Sequence, residues 1–439
     1  MSFRATRRRF IQTSAIATAG YWVAGGVKAE ESKSPNEKIQ FGCIGVGGKG
    51  SSDSADASRH GAVVAICDID DRTLQKAAGR HKEAKHFHDY RTLLEEMGDK
   101  IDAVTVSTPD HHHAIAAGMA MRMGKHCYCQ KPLTRTIWEA RHLAQIATEK
   151  KVATQMGNQG TAEPGLRRAA AEIKAGMLGN VKEVHVWTNR PVWPQGGPRP
   201  AESAVPKGIH WKEFIGPAPD RPYAAGYHPF KWRGWWDFGT GALGDMACHT
   251  MNMPFAALNL RDPMSVEAEI SENNKDSYPK WSKIQFHFAA TAERPAVTLF
   301  WYDGGMRPNP NIVADEAHLK DGRGRFFGSG CAIVGDKGYL VTPDDYGAAY
   351  NIYGGAVAPK VEFTPSPGHF AEWVEAIRGG KPAMSNFPDY ATPLTEMMLV
   401  GNLAVWTGGK LEWDAKNMKA SVSGLEKLIK PEYQHGYSL

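Results

Sequence analysis

The sequence predicts an α/β chain in two parts. A parallel sheet flanked by helices comes first, and an α+β domain with a large, mainly antiparallel open sheet follows. Three observations carry that reading. At 439 residues the chain is too long for one ordinary core. From Glu37 to residue 157 short apolar runs alternate with helical patterns, as strand–helix–strand units of a parallel sheet do. Beyond residue 160 the texture changes to a stretch dense in Pro, Gly and Trp, and then to longer strand-like runs.

The N-terminus comes before both parts. Thr6-Arg7-Arg8-Arg9-Phe10-Ile11-Gln12 fits the twin-arginine pattern of two arginines, any residue, then two apolar ones. The weakly apolar segment from Ile11 to Gly26 is interrupted by Gln12, Thr13, Ser14 and Thr18. It falls short of the roughly 20 apolar residues needed to span a bilayer. Val27-Lys28-Ala29 has the small-x-Ala form of a cleavage site. Residues 1–29 are therefore expected to be a signal peptide. It would deliver the folded protein through the twin-arginine translocase to the periplasm, with no membrane span after processing. This leader holds Arg4, Arg7, Arg8, Arg9 and Lys28 and no acid, which accounts for the net charge of +5. Taking those 5 from the 52 basic residues leaves 47 against 47 acids, a balance in which nothing argues for nucleic acid, and none is expected as a partner.

Strands are expected over Ile39 to Val46, Ala62 to Cys67, Ile101 to Val106, Lys125 to Cys129 and Val152 to Met156, each a short apolar run. Helices are expected over Thr73 to Lys82, Ala114 to Met123 and Trp138 to Thr148. These elements make up a first domain over residues 37–157. In a second domain, residues 158–439, strand-like runs cover Ser265 to Ile270, Lys283 to Phe288 and Ala296 to Trp301. Two helices close the chain near Phe370 to Arg378 and Leu394 to Thr407. The six cysteines show no zinc spacing, and three lie in apolar runs, so free buried thiols are expected.

Gly45-Val46-Gly47-Gly48-Lys49-Gly50 contains G-x-G-x-x-G, and so does the stretch from Gly239 to Gly244. In a chain this rich in glycine about half a match is expected by chance, so context must decide. The first match follows an apolar strand, opens a helix, and has Asp68 at the end of the next strand. That is the Rossmann dinucleotide fingerprint. Gly45, Gly47, Gly48 and Gly50 would let the backbone approach a pyrophosphate, and the acid would hold ribose hydroxyls. Asp68 would repel a 2′-phosphate and so favours NAD, with Arg72 nearby keeping NADP open. The second match follows Trp235-Trp236-Asp237-Phe238, which is no strand pattern, and reads as a flexible lead-in to a helix. That helix carries Asp245 and His249 at i and i+4, which places a carboxylate and an imidazole on one face. Such a pair can take a hydroxyl proton. His111-His112-His113 cannot converge on a metal, because successive helical residues point about 100 degrees apart, and no metal site is expected.

With these residues in view, the chain resembles the glucose–fructose oxidoreductase and inositol dehydrogenase family, Gfo/Idh/MocA. The markers are the Gly45 fingerprint, Thr108-Pro109-Asp110 with His113, Gln130-Lys131-Pro132, and Asp245 with His249. The resemblance implies NAD(P) on an N-terminal Rossmann domain, with Thr108, Pro109, His113, Gln130 and Lys131 around it, and export to a periplasm without free NAD implies that it is tightly bound. It implies that Lys131 hydrogen-bonds the reacting oxygen, that His249 is the general base and that Asp245 orients it. Hydride would pass between the nicotinamide and a sugar, polyol or glycoside carbon. A homo-oligomer, dimer or tetramer, is implied as well. Two departures stand out: Gln130, where Glu is more usual, and Asn252, where a second acid often follows. A neutral residue at 130 would remove one influence holding Lys131 protonated. Substrate contacts are expected from Asn158, Arg190, Trp193, His228, Arg233, Trp235 and Trp236, since aromatic faces and basic donors suit sugar rings. Two other readings stay open. One is a glycosidase that keeps NAD bound and oxidises its substrate transiently, and the other is a non-catalytic sugar or nucleotide-binding protein.

Overall fold

The apolar run that opens the described region becomes β1 (Ile39–Ile44), buried along almost its whole length. The computed structural model describes residues 38–439, and the expected leader, residues 1–29, lies outside them. After β1 come α1 (Gly48–His60), β2 (Gly61–Cys67), α2 (Asp71–Ala78), β3 (Lys85–Phe87) and α3 (Tyr90–Met97). Then follow β4 (Ala103–Val106), α4 (Asp110–Arg122), β5 (His126–Cys129), α5 (Ile137–Lys150) and β6 (Thr154–Met156). The six strands lie in the order β3-β2-β1-β4-β5-β6, all parallel. This is the doubly wound order, whose crevice beyond the strand ends at β1 and β4 is where such sheets take ligands. The inner strands β1, β2, β4 and β5 read as apolar runs because helices cover both faces.

Two local devices aim the chain toward that crevice. Thr136 and Glu139 form a reciprocal capping box at the start of α5, fixing where the chain turns after Lys131-Pro132. In α1 the first turn carries no acid, while Arg59 and His60 close the last turn. The free N–H groups and dipole of that N-terminus are thus left open to an anion.

The second part holds α6 (Pro164–Lys174), β7 (Val181–Trp187), α7 (Trp211–Ile215), α8 (Gly241–Thr250) and α9 (Asn252–Leu258). It continues with β8 (Ser265–Ile270), β9 (Ser282–Phe288), β10 (Val297–Tyr302), β11 (Gly330–Gly335), β12 (Gly338–Thr342) and β13 (Asn351–Tyr353). The chain closes with α10 (His369–Ile377), α11 (Thr392–Thr407), β14 (Lys410–Asp414), β15 (Lys419–Ala420) and a last short helix. Nine strands form the sheet β13-β12-β11-β7-β10-β9-β8-β14-β15, antiparallel except between β7 and β10. Its strands alternate buried and more exposed residues, as in β9 and β10, so one face meets the core. Helix α11 is buried on nearly every side, as a helix lying between layers must be.

One element crosses the expected division of the chain. Helix α10 returns to the parallel sheet, where Phe370 and Trp373 pack on Phe41 and Tyr128. Trp373 Nε1 donates to the carbonyl of Ala153 at 3.0 Å. The face of the first sheet is therefore completed by residues far along the chain, and residues 39–439 form one compact unit.

Candidate active site

Lys131 leaves the end of β5 beside the fully buried Leu133, and its Nζ is held by two acceptors. It donates to Asp245 Oδ1 at 2.8 Å and to the Asp245 carbonyl at 2.7 Å. Arg233 Nε donates to the same Oδ1 at 3.1 Å. Burial alone would drive the Lys131 ammonium toward the neutral form, but the Asp245 carboxylate outweighs it and lifts the pKa above 10.5. For Asp245 burial pushes upward, and Lys131 and Arg233 together hold the carboxyl well below the usual range. The lysine is a fixed cation.

His249 lies one turn further along α8, buried, with the ring of Tyr346 edge-on at 4.9 Å. Its Nδ1 has no hydrogen-bond partner among the described residues. Burial, helped by the charge of Lys131, pushes its pKa well below 6.5. The ring is neutral at neutral pH and can accept a proton. The expected pairing of Asp245 with His249 is not formed. The carboxylate is taken by two cations, Lys131 and Arg233, so Asp245 positions the lysine, and the Tyr346 ring packs against the imidazole.

The glycine loop closes one end of the same cleft. Gly45 has φ +77° and passes so close to Ser107 that a Cβ would overlap its carbonyl. A Cβ at Gly50 would run into the carbonyl of Gly45. Gly50 thus sets the approach of α1 to β1 and does not line the cleft. Gly48 has open space where a Cβ would stand. Asp68 lines the cleft, and its Oδ2 accepts the N–H groups of Val46 at 3.0 Å and Gly47 at 3.2 Å. It therefore ties down the glycine loop as well as facing the cleft. Burial raises its pKa, opposed by those N–H groups and that of Asp70.

Gln130 explains its own departure from the family pattern. Its Nε2 donates to Asp53 Oδ2 at 2.9 Å, and Ser107 Oγ donates to the same oxygen at 2.8 Å. Lys49 pairs with the other carboxylate oxygen. Asp53 is fully buried under the loop. The Gln130 amide thus serves Asp53, and Asp245 supplies the carboxylate that keeps Lys131 charged. The expectation that Gln130 weakens the hold on that charge is corrected accordingly.

The cleft has a volume of about 650 Å³, within the range of small-molecule sites. Of the expected residues, Gly45, Gly47, Gly48, Asp68, Thr108, Pro109, Gln130, Lys131, Asp245 and His249 line it. From the irregular stretch Arg190, His228 and Arg233 line it too. His113 does not. Its ring nitrogens lie 2.8 Å from the Pro132 carbonyl and 2.9 Å from that of Thr108, so it joins the two turns from behind. Four expected substrate contacts are packing residues instead. Trp193 bonds Gln195, Trp235 bonds the Gly226 carbonyl, and Trp236 stacks on Tyr278 at 3.6 Å. Asn158 is fully buried and accepts from Ser385 Oγ at 2.5 Å. Apolar burial claims the tryptophans, whose large rings are all buried here. Gln159, Asp345 and Tyr346 line the cleft without having been expected. They come from a turn after β6 and a loop after β12, where no spacing marks them out. All six cysteines are buried and free. His111 and His112 are both directed at the Phe214 carbonyl at 2.8 Å, and His112 also lines the cleft. The second glycine run leads into α8.

The cleft fits a dinucleotide on this chain's own geometry. It offers a glycine cradle with an open Cβ position at Gly48, a helix N-terminus free of acid and a carboxylate at the end of β2.

Residues 39–158 match the profile of an oxidoreductase family with an NAD-binding Rossmann fold, and residues 173–294 match its C-terminal alpha/beta domain. A levoglucosan dehydrogenase of Pseudarthrobacter phenanthrenivorans is 25% identical over 189 residues, 43% of this chain and 40% of that protein. A glycosyl hydrolase family 109 protein of Solibacter usitatus is 31% identical over 155 residues, 31% of this chain and 35% of that protein. The match thus spans about two-fifths or less of these relatives' length. Among solved structures, the Bordetella pertussis WlbA dehydrogenase with NADH and UDP-GlcNAcA superposes with a TM-score of 0.60 at 16% identity. It covers 86% of this chain and 99% of that one. At that identity the likeness shows the fold. The two profile matches and the shared architecture place the chain in the Gfo/Idh/MocA oxidoreductase family.

Proposed function

We propose that this protein is an NAD-dependent oxidoreductase acting on a CH–OH carbon of a sugar, polyol or glycoside. One observation carries the reading. A charged lysine and a neutral, unpaired imidazole face one cleft whose other end is a dinucleotide cradle. The Lys131 ammonium, fixed by Asp245, donates to the substrate oxygen and favours loss of its proton. His249, neutral in the cleft, accepts that proton. Asp245 and Arg233 fix the direction of the ammonium. A nicotinamide cofactor held by the glycine loop and Asp68 would supply the hydride acceptor, so that oxidation of the carbinol carbon to a carbonyl would be balanced by reduction of the cofactor. Levoglucosan dehydrogenase among the relatives supports a carbohydrate substrate. Arg190 and His228 in the cleft wall are suited to its hydroxyls.

The likeness to glycosyl hydrolase family 109 proteins favours a second reading, in which transient oxidation assists glycoside cleavage and the cofactor is recycled. One experiment tests both. Bound nucleotide is released and identified, and a glycoside panel is assayed for product and for reduced cofactor. Net dehydrogenation accumulates reduced cofactor, the hydrolytic route yields cleaved glycoside without it, and protein free of nucleotide with no turnover on any sugar rejects both.

We further infer export through the twin-arginine translocase to the periplasm, supported by Arg7-Arg8 ahead of an apolar segment. An exported enzyme of this kind needs a tightly held cofactor. Changing Arg7-Arg8 to Lys-Lys should leave the protein in the cytoplasm, and normal periplasmic accumulation rejects the inference. A homo-oligomer through the nine-stranded sheet is part of the same proposal. The outward residues Gln285, His287, Thr298 and Phe300 leave that face partly exposed, and sedimentation of the purified protein as a monomer rejects it.

A further inference from the structure

The cleft continues past Asp68, where Tyr90, His112, Glu213, Phe214 and Tyr437 also line it. Glu213 and Phe214 belong to α7, and Tyr437 follows the last short helix, so this wall comes largely from outside the parallel-sheet domain. It is pinned in place from several directions. Asp71 N donates to the Gly208 carbonyl and His210 N to that of Ile69, each at 2.9 Å. A Cβ at Gly216, where φ is +50°, would overlap the His112 ring, so the turn after α7 lies directly on α4. Gln434 N donates to the Pro217 carbonyl at 3.2 Å, and the Arg91 guanidinium sits 4.1 Å from the centre of the Tyr437 ring.

Three carboxylates at this end are already engaged. Asp68 holds the glycine loop, Asp70 caps α2 through the Arg72 N–H at 3.0 Å, and Asp89 takes Arg91 Nη2 at 2.6 Å. The Glu213 carboxylate lines the cleft and makes no hydrogen bond or ion pair among the described residues. It lies on the β2 side. Burial first, and then the charges of Asp68, Asp89 and Glu213, push the thiol of Cys67, the last residue of β2, well above its ordinary range. In a doubly wound sheet the acid after β2 takes the adenosine ribose, so the base on that ribose falls beyond it. A carboxylate only accepts. The exocyclic amine is the one N–H donor of an adenine base joined to ribose, and hypoxanthine carries a carbonyl oxygen at that position.

We propose that Glu213 and Tyr437 complete a site for the adenine base of the cofactor. Glu213 accepts from the exocyclic amine, and the Tyr437 ring closes the cleft beyond the base. The inference rests on the nucleotide cofactor of the proposed function and names the residues that select its base. Both residues come from segments far along the chain, so a base held there leaves only when one of those segments moves. Asp68 acts on the ribose and Glu213 on the base, which separates two choices along one ligand: which sugar hydroxyls it carries and which purine.

The test titrates the protein, stripped of nucleotide, with NAD and with nicotinamide hypoxanthine dinucleotide, and reads affinity by calorimetry. Wild type should prefer NAD by about 10- to 100-fold, the worth of one hydrogen bond to a charged group. Glu213→Gln, whose amide can donate as well as accept, should weaken NAD and strengthen the hypoxanthine analogue, so that the two converge. Tyr437→Ala should weaken both by about 5-fold or more, as loss of an aromatic contact to a base does, and leave their ratio unchanged. Misfolding lowers both affinities by one factor, so the change of ratio in Glu213→Gln is not an effect of unfolding. No binding of either dinucleotide by wild type rejects the cofactor reading itself. Binding of NAD with no preference over the analogue, or with the same preference in Glu213→Gln as in wild type, overturns the adenine site alone.

Discussion

Gln130→Glu tests how the cofactor loop is held together. The change keeps the shape of the side chain and replaces an amide that donates to Asp53 Oδ2 at 2.9 Å with a carboxylate oxygen. Two ionised carboxylates at that distance repel by about 6 kcal/mol at an effective dielectric of about 20. Holding one proton on the pair is cheaper. For a carboxyl of ordinary pKa near 4.3 at pH 7 that costs about 4 kcal/mol. The folded state then keeps a proton that the unfolded chain releases, so stability falls as pH rises, by about 1.4 kcal/mol per pH unit above about pH 4.3. At acid pH the protonated side chain donates to Asp53 as the amide did, and the penalty fades. For a unit of about 400 residues, unfolding entropy near 2.1 cal/mol/K per residue turns about 4 kcal/mol into a thermal midpoint lower by about 4 to 5 °C. Scanning calorimetry of wild type and variant between about pH 5 and about pH 8 should show a gap that widens with pH. A constant gap, or none, means that the residue at 130 does not face Asp53.

Two further perturbations separate roles that the sequence alone had merged. Asp68→Ala should weaken both NAD and NADP, and NAD more, because the carboxylate tethers the glycine loop as well as facing the ribose. Calorimetric titration of stripped protein checks this, and undiminished NADP affinity removes the tether from the account. Asp245→Asn takes away the main charge that lifts the Lys131 pKa and leaves burial and Arg233, which lower it, opposed only by Cys248. The basic limb of the pH–rate profile should therefore move to lower pH, and an unmoved limb means that Lys131 does not depend on Asp245.

Much of the fold was legible because its elements are local. Parallel strands buried on both faces read as apolar runs, and all five expected ones exist with their ends shifted by one to two residues. Strand β3 escaped because Lys85-His86-Phe87 is a short, mostly exposed edge strand with no apolar run. Strand β7 escaped because Lys182 and Glu183 break its apolar pattern on the exposed side. The return of α10 to the first sheet is a tertiary fact that no window of sequence contains. The site divides in the same way. The glycine loop, Lys131, Asp245 and His249 announce themselves through motif and spacing. Asp53, Asp345 and Tyr346 reach the site only through packing. The hydrogen-bond partners of Asp245 and Gln130 were misread for one reason. Sequence shows which groups are neighbours along a helix or strand, and it does not show which cation or carboxylate the fold brings closer.

The central claim is that Lys131 and His249 act on a sugar hydroxyl beside a bound nicotinamide. The most direct test follows the absorbance of reduced nicotinamide in protein purified with its own cofactor, as candidate glycosides are mixed with wild type, Lys131→Ala and His249→Ala. Wild type should reduce its bound cofactor with at least one sugar. Each variant should be slower by a factor of about 100 to 10,000 while its nucleotide content stays the same. Reduction at the wild-type rate by His249→Ala, with cofactor still bound, contradicts the account.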